Sequence, residues 1–329
     1  MDSLARVIGV RLLLLIPTLF AVSLLTFGIM QLAPGDPVRI YLSDGMGNNA
    51  SPEDIERMRE KLGLNDPLPI QYVRWLGQAI RGNFGYSIVS HRPVTEIIVE
   101  KLPASLSLMG ISLLISVLLG IGIGSIAAIK QYSIFDVLTT TFAFLGNALP
   151  SFWIAMILIW FFSVKLGWLP TGQMRSVSSS DPVWLDYAKH FVLPVAVTSF
   201  VNLIAWTRYQ RTSLLEVLHQ DFIRTARAKG LSERRVLLFH AWKNSLIPIV
   251  TLIGISIATL VGGSYVIESI FAWPGLGRFG FDSVLARDYP SIMGITMFSA
   301  LFILFGNLLA DIAYLLLDPR IRGISGGSS

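Results

Sequence analysis

The sequence of 329 residues contains no cysteine, which excludes disulfide frameworks, Cys-ligated zinc and iron–sulfur clusters. Charge is scarce as well. Asp, Glu, Lys and Arg make up 14% of the chain, where soluble domains carry roughly 25%. No G-x-x-x-x-G-K-[ST] segment occurs, so the chain is not expected to hydrolyse ATP itself. His91, His190, His219 and His240 form no H-E-x-x-H and no pair four residues apart, so no zinc site is expected. The single G-x-S-x-G match, GISGG at 323–327, lies in the Gly- and Ser-rich end and follows no strand pattern, so there is no nucleophile elbow, no case for a serine nucleophile, and an intramembrane enzyme becomes remote. No secretory signal fits the N-terminus, whose apolar run is too long and lacks a small-residue cleavage site.

What is present is apolar: 53% of residues are hydrophobic and the mean hydropathy is +0.63. A bilayer core about 30 Å thick takes about 20 apolar residues per helix. Leu12–Met30 is uncharged throughout and gives a first span. Five more follow at about 104–129, 137–164, 191–206, 246–267 and 292–317. The third is long enough to bend near Gly146 and Pro150, and the fourth is the weakest, interrupted by Pro194 and Asn202. The expectation is an all-α integral membrane protein with about six transmembrane helices.

Lys and Arg in short connections set orientation. Arg6 and Arg11 precede the first span, Lys130 lies between the second and third, and Arg320 and Arg322 follow the sixth. Eight more cations, from Arg208 to Lys243, fill the connection between the fourth and fifth. Alternating spans put all of these on one side, so both termini are expected in the cytoplasm. The net charge of +5 then reports asymmetry across a bilayer rather than nucleic-acid binding. The expected organisation is a cytoplasmic N-terminus with the first span (1–30), an extracytoplasmic segment (31–102), a core with spans two to six (103–317) including a cytoplasmic loop (207–245), and a tail (318–329). Within the external segment, Ser51, Pro52 and the acids that follow predict a short capped helix ending at Gly63. The Gly- and Ser-rich end, GISGGSS, predicts a flexible tail.

Several local patterns need weighing. GLGRFG, with Gly275, Gly277 and Gly280, matches a dinucleotide fingerprint, but it follows a membrane span instead of a strand and reads as a surface turn. Gly120, Gly122 and Gly124 predict close helix packing. Asn147, Pro150, Asn202, Asn307 and Asp311 lie within or beside spans and are candidates for lining a pathway, with interhelical hydrogen bonding as the other reading of the amides. Glu268, Asp282, Arg287 and Asp288 are candidate contacts for an external protein, or solvated loop charges. In the basic loop, Asp221 is expected to cap a short helix through Lys229, Gly230 to form a left-handed corner, and Ser232 to start a second helix. The first of these helices carries small residues, Thr225, Ala226 and Ala228, that admit close approach by another protein. Its charge alone leaves three readings open: a topology determinant, a site for anionic headgroups, or a docking element.

DFIRTARAKGLSERRVLLFHAWKNSLIP resembles the cytoplasmic EAA loop of binding-protein-dependent ABC importer permeases, in particular the peptide and nickel permeases of the dipeptide-permease B type. RLLLLIPTLFAVSLLTFGIMQLAPGDP, LGLNDPLPIQYVRWL, GNFGYS, ALPSFWIA, VKLGWLPTG, ESIFAWPGLGR, RDYP and DPRIR are similar to that family's segments in the same order, so the resemblance covers nearly the whole chain. It implies a type I importer permease fold in a bacterial cytoplasmic (inner) membrane, forming half of a translocation pathway for dipeptides or oligopeptides, or alternatively for nickel or a metal chelate. Implied partners are a second permease chain, two ATPases that carry the ATP and Mg, and an extracytoplasmic substrate-binding protein. Neither a cofactor on this chain nor nucleic acid is implied. Asp221, Arg224, Thr225, Ala226, Arg227, Lys229, Gly230 and Ser232 would form the ATPase-coupling loop. Arg224, Thr225 and Ala226 stand at the E-A-A positions, with Arg224 replacing the acid and Lys243 standing where other importers place a proline. A stand-alone channel or secondary transporter is the more remote alternative, since apart from Asp311 the spans lack ionisable groups.

Overall fold

The computed structural model describes residues 2–32, 38, 51–62, 64–176 and 181–317. Twelve helices organise the described residues: α1 (Asp2–Leu32), α2 (Pro52–Leu62), α3 (Leu68–Ala79), α4 (Val94–Ile129), α5 (Ile134–Ala148), α6 (Ser151–Lys165), α7 (Val183–Leu218), α8 (Asp221–Ala228), α9 (Glu233–Gly262), α10 (Tyr265–Ile270), α11 (Leu276–Leu285) and α12 (Tyr289–Leu317). Helices α1, α4, α7, α9 and α12 are each long and apolar enough to cross a membrane, and the bent pair α5–α6 makes up to a sixth span. The bend is 99°. It falls at Leu149, which Pro150 forces into extended conformation (ψ 129°), as the sequence led one to expect. The fifth span ends earlier than the expected Ile267, because Gly262 and a left-handed Gly263 (φ +60°) stop α9 and release α10 as a separate short helix. The GISGGSS tail and Gly63 lie outside the described residues.

The described residues form two compact units. One comprises those up to Ser105 with Val261–Tyr265 and Pro274–Phe305. Here α3 lies on α1 through aromatic edges, with the Phe27 and Tyr72 rings 5.4 Å apart and the Ser23 and Tyr72 hydroxyls 2.8 Å apart. Helix α2 starts at Ser51 as predicted. The Asp54 amide donates to the Ser51 hydroxyl (3.2 Å) and the Ser51 amide to the Asp54 carboxylate (3.3 Å), a reciprocal cap. The Ser51 hydroxyl, also bonded to that carboxylate at 2.7 Å, holds Asp54 below the ordinary carboxylate range. Asp288, at the start of α12, accepts from the Ser87 hydroxyl (2.5 Å), the Ser291 hydroxyl (2.7 Å) and the Ile88 amide (3.0 Å), which fastens the 82–93 turn region to α12.

The second unit is built around α7. Half of the apolar window of α7 is buried, against 11% of that of α1. This explains its low hydropathy: a helix half-buried in protein can carry Thr198, Ser199, Thr207 and Gln210 at its buried positions, where a lipid-facing surface disfavours them. Helix α4 approaches α7 through two of the three glycines. A methyl on Gly120 would stand 2.4 Å from the Trp206 Cβ, and one on Gly124 would stand 2.5 Å from the Thr207 carbonyl. Gly122, two residues along, has open space around it and does not serve that contact. Gly120→Ala is therefore expected to force α4 and α7 apart at a cost of about 1–3 kcal/mol, read as a lower denaturation temperature in detergent, while Gly122→Ala should be neutral.

Candidate functional site

Helix α8 is only eight residues long, too short to be stable in water alone. Packing holds it. Ile223 and Ala226 are buried in a cluster with Ala128 of α4, Leu214 of α7, and Val236 and Ala241 of α9. Burying Ile223 contributes about 2 kcal/mol. The opposite face is solvent-facing: Arg224, Thr225, Arg227, Ala228, Lys229 and Gly230 are all exposed. Asp221 does not cap the helix. Gln220 occupies the cap position in extended conformation, and Asp221 begins the first turn, where its negative charge suits the helix dipole and its carbonyl accepts from the Thr225 hydroxyl (3.0 Å). The side chain of Asp221 is 96% exposed.

The corner after α8 is as expected. Gly230 adopts φ +75°, its amide donates to the Arg227 carbonyl (2.9 Å), and the Leu231 amide donates to the Ala226 carbonyl (3.4 Å). These two bonds define a Schellman turn, with Leu231 packed on the cluster as its hydrophobic partner. Ser232 sits at the N-cap position of α9 without a side-chain capping bond. Arg227 clamps the corner by a two-pronged contact with Glu233 (2.6 and 3.1 Å), which raises Arg227 further above its ordinary value and keeps it charged. Helix α9 then runs from this corner into its span without a break, widening to π-helical winding over Val236–Trp242. The second loop helix and the fifth span are thus one rod.

Above the cluster lies a buried polar junction that sequence reasoning did not find. The Gln210 amide nitrogen donates to the hydroxyls of Ser125 on α4 and Ser245 on α9, both at 3.0 Å, and the Trp242 indole donates to Ser125 (3.1 Å). Beside it, Arg211 of α7 holds Asp136 of α5 through two bonds of 2.6 and 2.8 Å, and the carboxylate also accepts from the Tyr132 amide (3.0 Å). Four helices are therefore tied together about one helical turn from the cluster that holds α8. The only signal in the sequence was the presence of Gln, Ser and Asp at the ends of apolar runs.

Of the remaining candidates, Asn147 and Pro150 lie exposed at the α5–α6 bend, Asn202 is half-buried on α7, and Asn307 is half-buried on α12. The Asp311 side chain lies outside the described residues. Asp282 and Arg287 are exposed, as a contact for an external protein requires. Glu268 and Asp288 are not: they are 0% and 1% exposed, so neither is a solvated charge nor offers its carboxylate to a docking protein. For Asp288 the reason is the set of donors that replaces its hydration, two of them from residues 87 and 88. GLGRFG follows no strand among the described residues, and Gly275 merely caps α11.

Comparison with known proteins places this geometry in context. Residues 120–323 match the family described as binding-protein-dependent transport system inner membrane component, and residues 4–109 match the N-terminal model of such membrane components. The chain is 44% identical to the oligopeptide transport system permease protein AppB of Bacillus subtilis, over 95% of this chain and 98% of that protein. It is 38% identical to the probable peptide ABC transporter permease protein y4tP of Sinorhizobium fredii, over 95% of this chain and 97% of that one.

Proposed function

We propose that this chain, which belongs to the family of binding-protein-dependent transport system inner membrane components, is the permease subunit through which an ATP-driven importer carries short peptides. The names of its relatives support peptides as cargo. The ATP-driven part rests on α8. A short helix whose buried face belongs to the same cluster as α4, α7 and α9, and whose other face is bare, is suited to being held by a second protein. A force applied to α8 reaches three spans through Ala128, Leu214 and Val236, and the Gln210 and Arg211 contacts keep those spans from sliding independently. Coupling requires a partner that contacts α8 differently in two states, and an ATPase that closes on nucleotide has that property. With no phosphate loop in its own sequence, the chain takes its energy from that partner.

The assembly consistent with this reading has a second permease chain, a pair of ATPases on the side of α8, and an external binding protein that delivers peptide to the other side. In this reading that side and both termini face the cytoplasm of a bacterial cell bounded by its cytoplasmic membrane, which the excess of Lys and Arg around α8 supports. Asn147, Pro150, Asn202 and Asn307 are offered as pathway residues, and Asp282 and Arg287 as contacts for the binding protein. Liposome reconstitution tests the proposal. Peptide uptake is expected only when this chain, a second permease, the ATPases and the binding protein are all present with ATP. Uptake by this chain alone would overturn it in favour of a stand-alone transporter.

A further inference from the structure

We propose that the ATPase surface receiving α8 is an acidic groove, recognised by Arg224, Lys229, Arg234 and Arg235. This rests on the assignment of α8 as the ATPase contact and adds the chemistry of that contact. Around the Gly230 corner the chain carries Asp221, Arg224, Arg227, Lys229, Glu233, Arg234 and Arg235, all exposed. These charges are not equivalent. The Arg227 guanidinium is engaged by both oxygens of Glu233 at 2.6 and 3.1 Å, so that pair is internally neutral and braces the corner. Arg224 meets Asp221 at only 3.5 Å, with the two side chains 73% and 96% exposed, and such a pair contributes little. Lys229, Arg234 and Arg235 have no ion-pair partner among the described residues. Four cations are left to an outside partner, and they surround one corner.

The inside-positive rule explains their sign but not their placement, since cations anywhere in the connection would satisfy it. Anionic headgroups would also be attracted. The exposed face, however, interleaves its cations with Thr225, Ala228 and Gly230, and small side chains there let a protein backbone approach closely, which headgroup binding does not require. A groove that accepts α8 buries these cations against its own walls, and like charges there would repel. Carboxylates are the groups that complement a mixed Arg and Lys surface in water-accessible geometry.

The test uses the reassembled importer in nanodiscs of neutral phosphatidylcholine, with the ATPase dissociation constant measured against salt. The wild type is expected to bind about ten-fold more weakly at about 1 M than at about 0.1 M salt, where the screening length falls from ~10 Å to ~3 Å. At low salt, Arg224→Glu, Lys229→Glu and Arg234→Glu should each weaken binding about ten-fold, while exchange of the exposed Arg92–Glu100 pair, outside the loop, should stay within about two-fold. Because the chain is cysteine-free, a single cysteine in place of Ala228 reports docking independently of charge. Charge reversals that bind like wild type while that cross-link still forms would overturn the acidic groove and leave docking intact. An absent cross-link in the otherwise wild-type chain would remove the docking assignment itself. Reversals that lower binding only to phosphatidylglycerol vesicles, with ATPase affinity unchanged, would assign the cations to lipid and overturn the proposal.

Discussion

Gly230→Val is expected to lower coupled uptake about ten-fold while leaving the protein inserted and assembled. The glycine holds φ +75°, and a Cβ added there meets nothing within 4 Å. The cost is therefore one of backbone conformation, about 1–2 kcal/mol for a left-handed residue with a side chain, and more when it is β-branched. That strain acts on the Schellman turn that fixes α8 to α9, so the properly cornered population falls roughly ten-fold. Substrate-stimulated ATP hydrolysis and peptide uptake should drop together by about that factor. Gly230→Asn is the internal control, because asparagine tolerates the left-handed region and should retain most activity. Wild-type uptake and stimulation in the valine variant would show that the corner does not transmit motion.

The second large effect is on stability. Asp136→Ala leaves the Arg211 guanidinium, 26% exposed, without its carboxylate and removes the acceptor of the Tyr132 amide. Removing one partner of a buried pair costs about 3 kcal/mol, enough to lose most folded protein during extraction. Replacing both partners, as in Asp136→Ala/Arg211→Met, should recover much of it, since no charge then remains stranded. Thermal denaturation in detergent distinguishes these outcomes. A single variant as stable as the wild type would mean that Arg211 finds solvent at no cost.

These two sites differ in how far the sequence revealed them. Gly230 was readable because a left-handed corner has a local signature: small and basic residues, then glycine, then an N-cap serine. The spans were readable for the same reason, their apolar length being a local property, and Pro150 announced the bend through its effect on Leu149. Asp136 and Arg211 are 75 positions apart, and nothing local to either identifies the other. Asp288 looked like a loop charge because its donors, Ser87 and Ile88, lie about 200 residues upstream. Asp221 was misassigned by a single position, since Gln220 takes the extended cap geometry and the acid serves the first turn. Low hydropathy made α7 the least convincing span, although it is the most buried of the candidates. Hydropathy measures suitability for lipid, and half of the α7 window is buried against protein instead.

In the proposed mechanism an ATPase moves this permease by holding α8. A single cysteine at Ala228, on the exposed face of that helix, tests it when cross-linked to the ATPase in the reassembled importer. The expected result is a cross-link that forms in the assembled complex and, once formed with a short reagent, arrests peptide uptake and substrate-stimulated ATP hydrolysis together. Uptake that continues with the cross-link in place, or an active importer in which Ala228 never meets the ATPase, would contradict it.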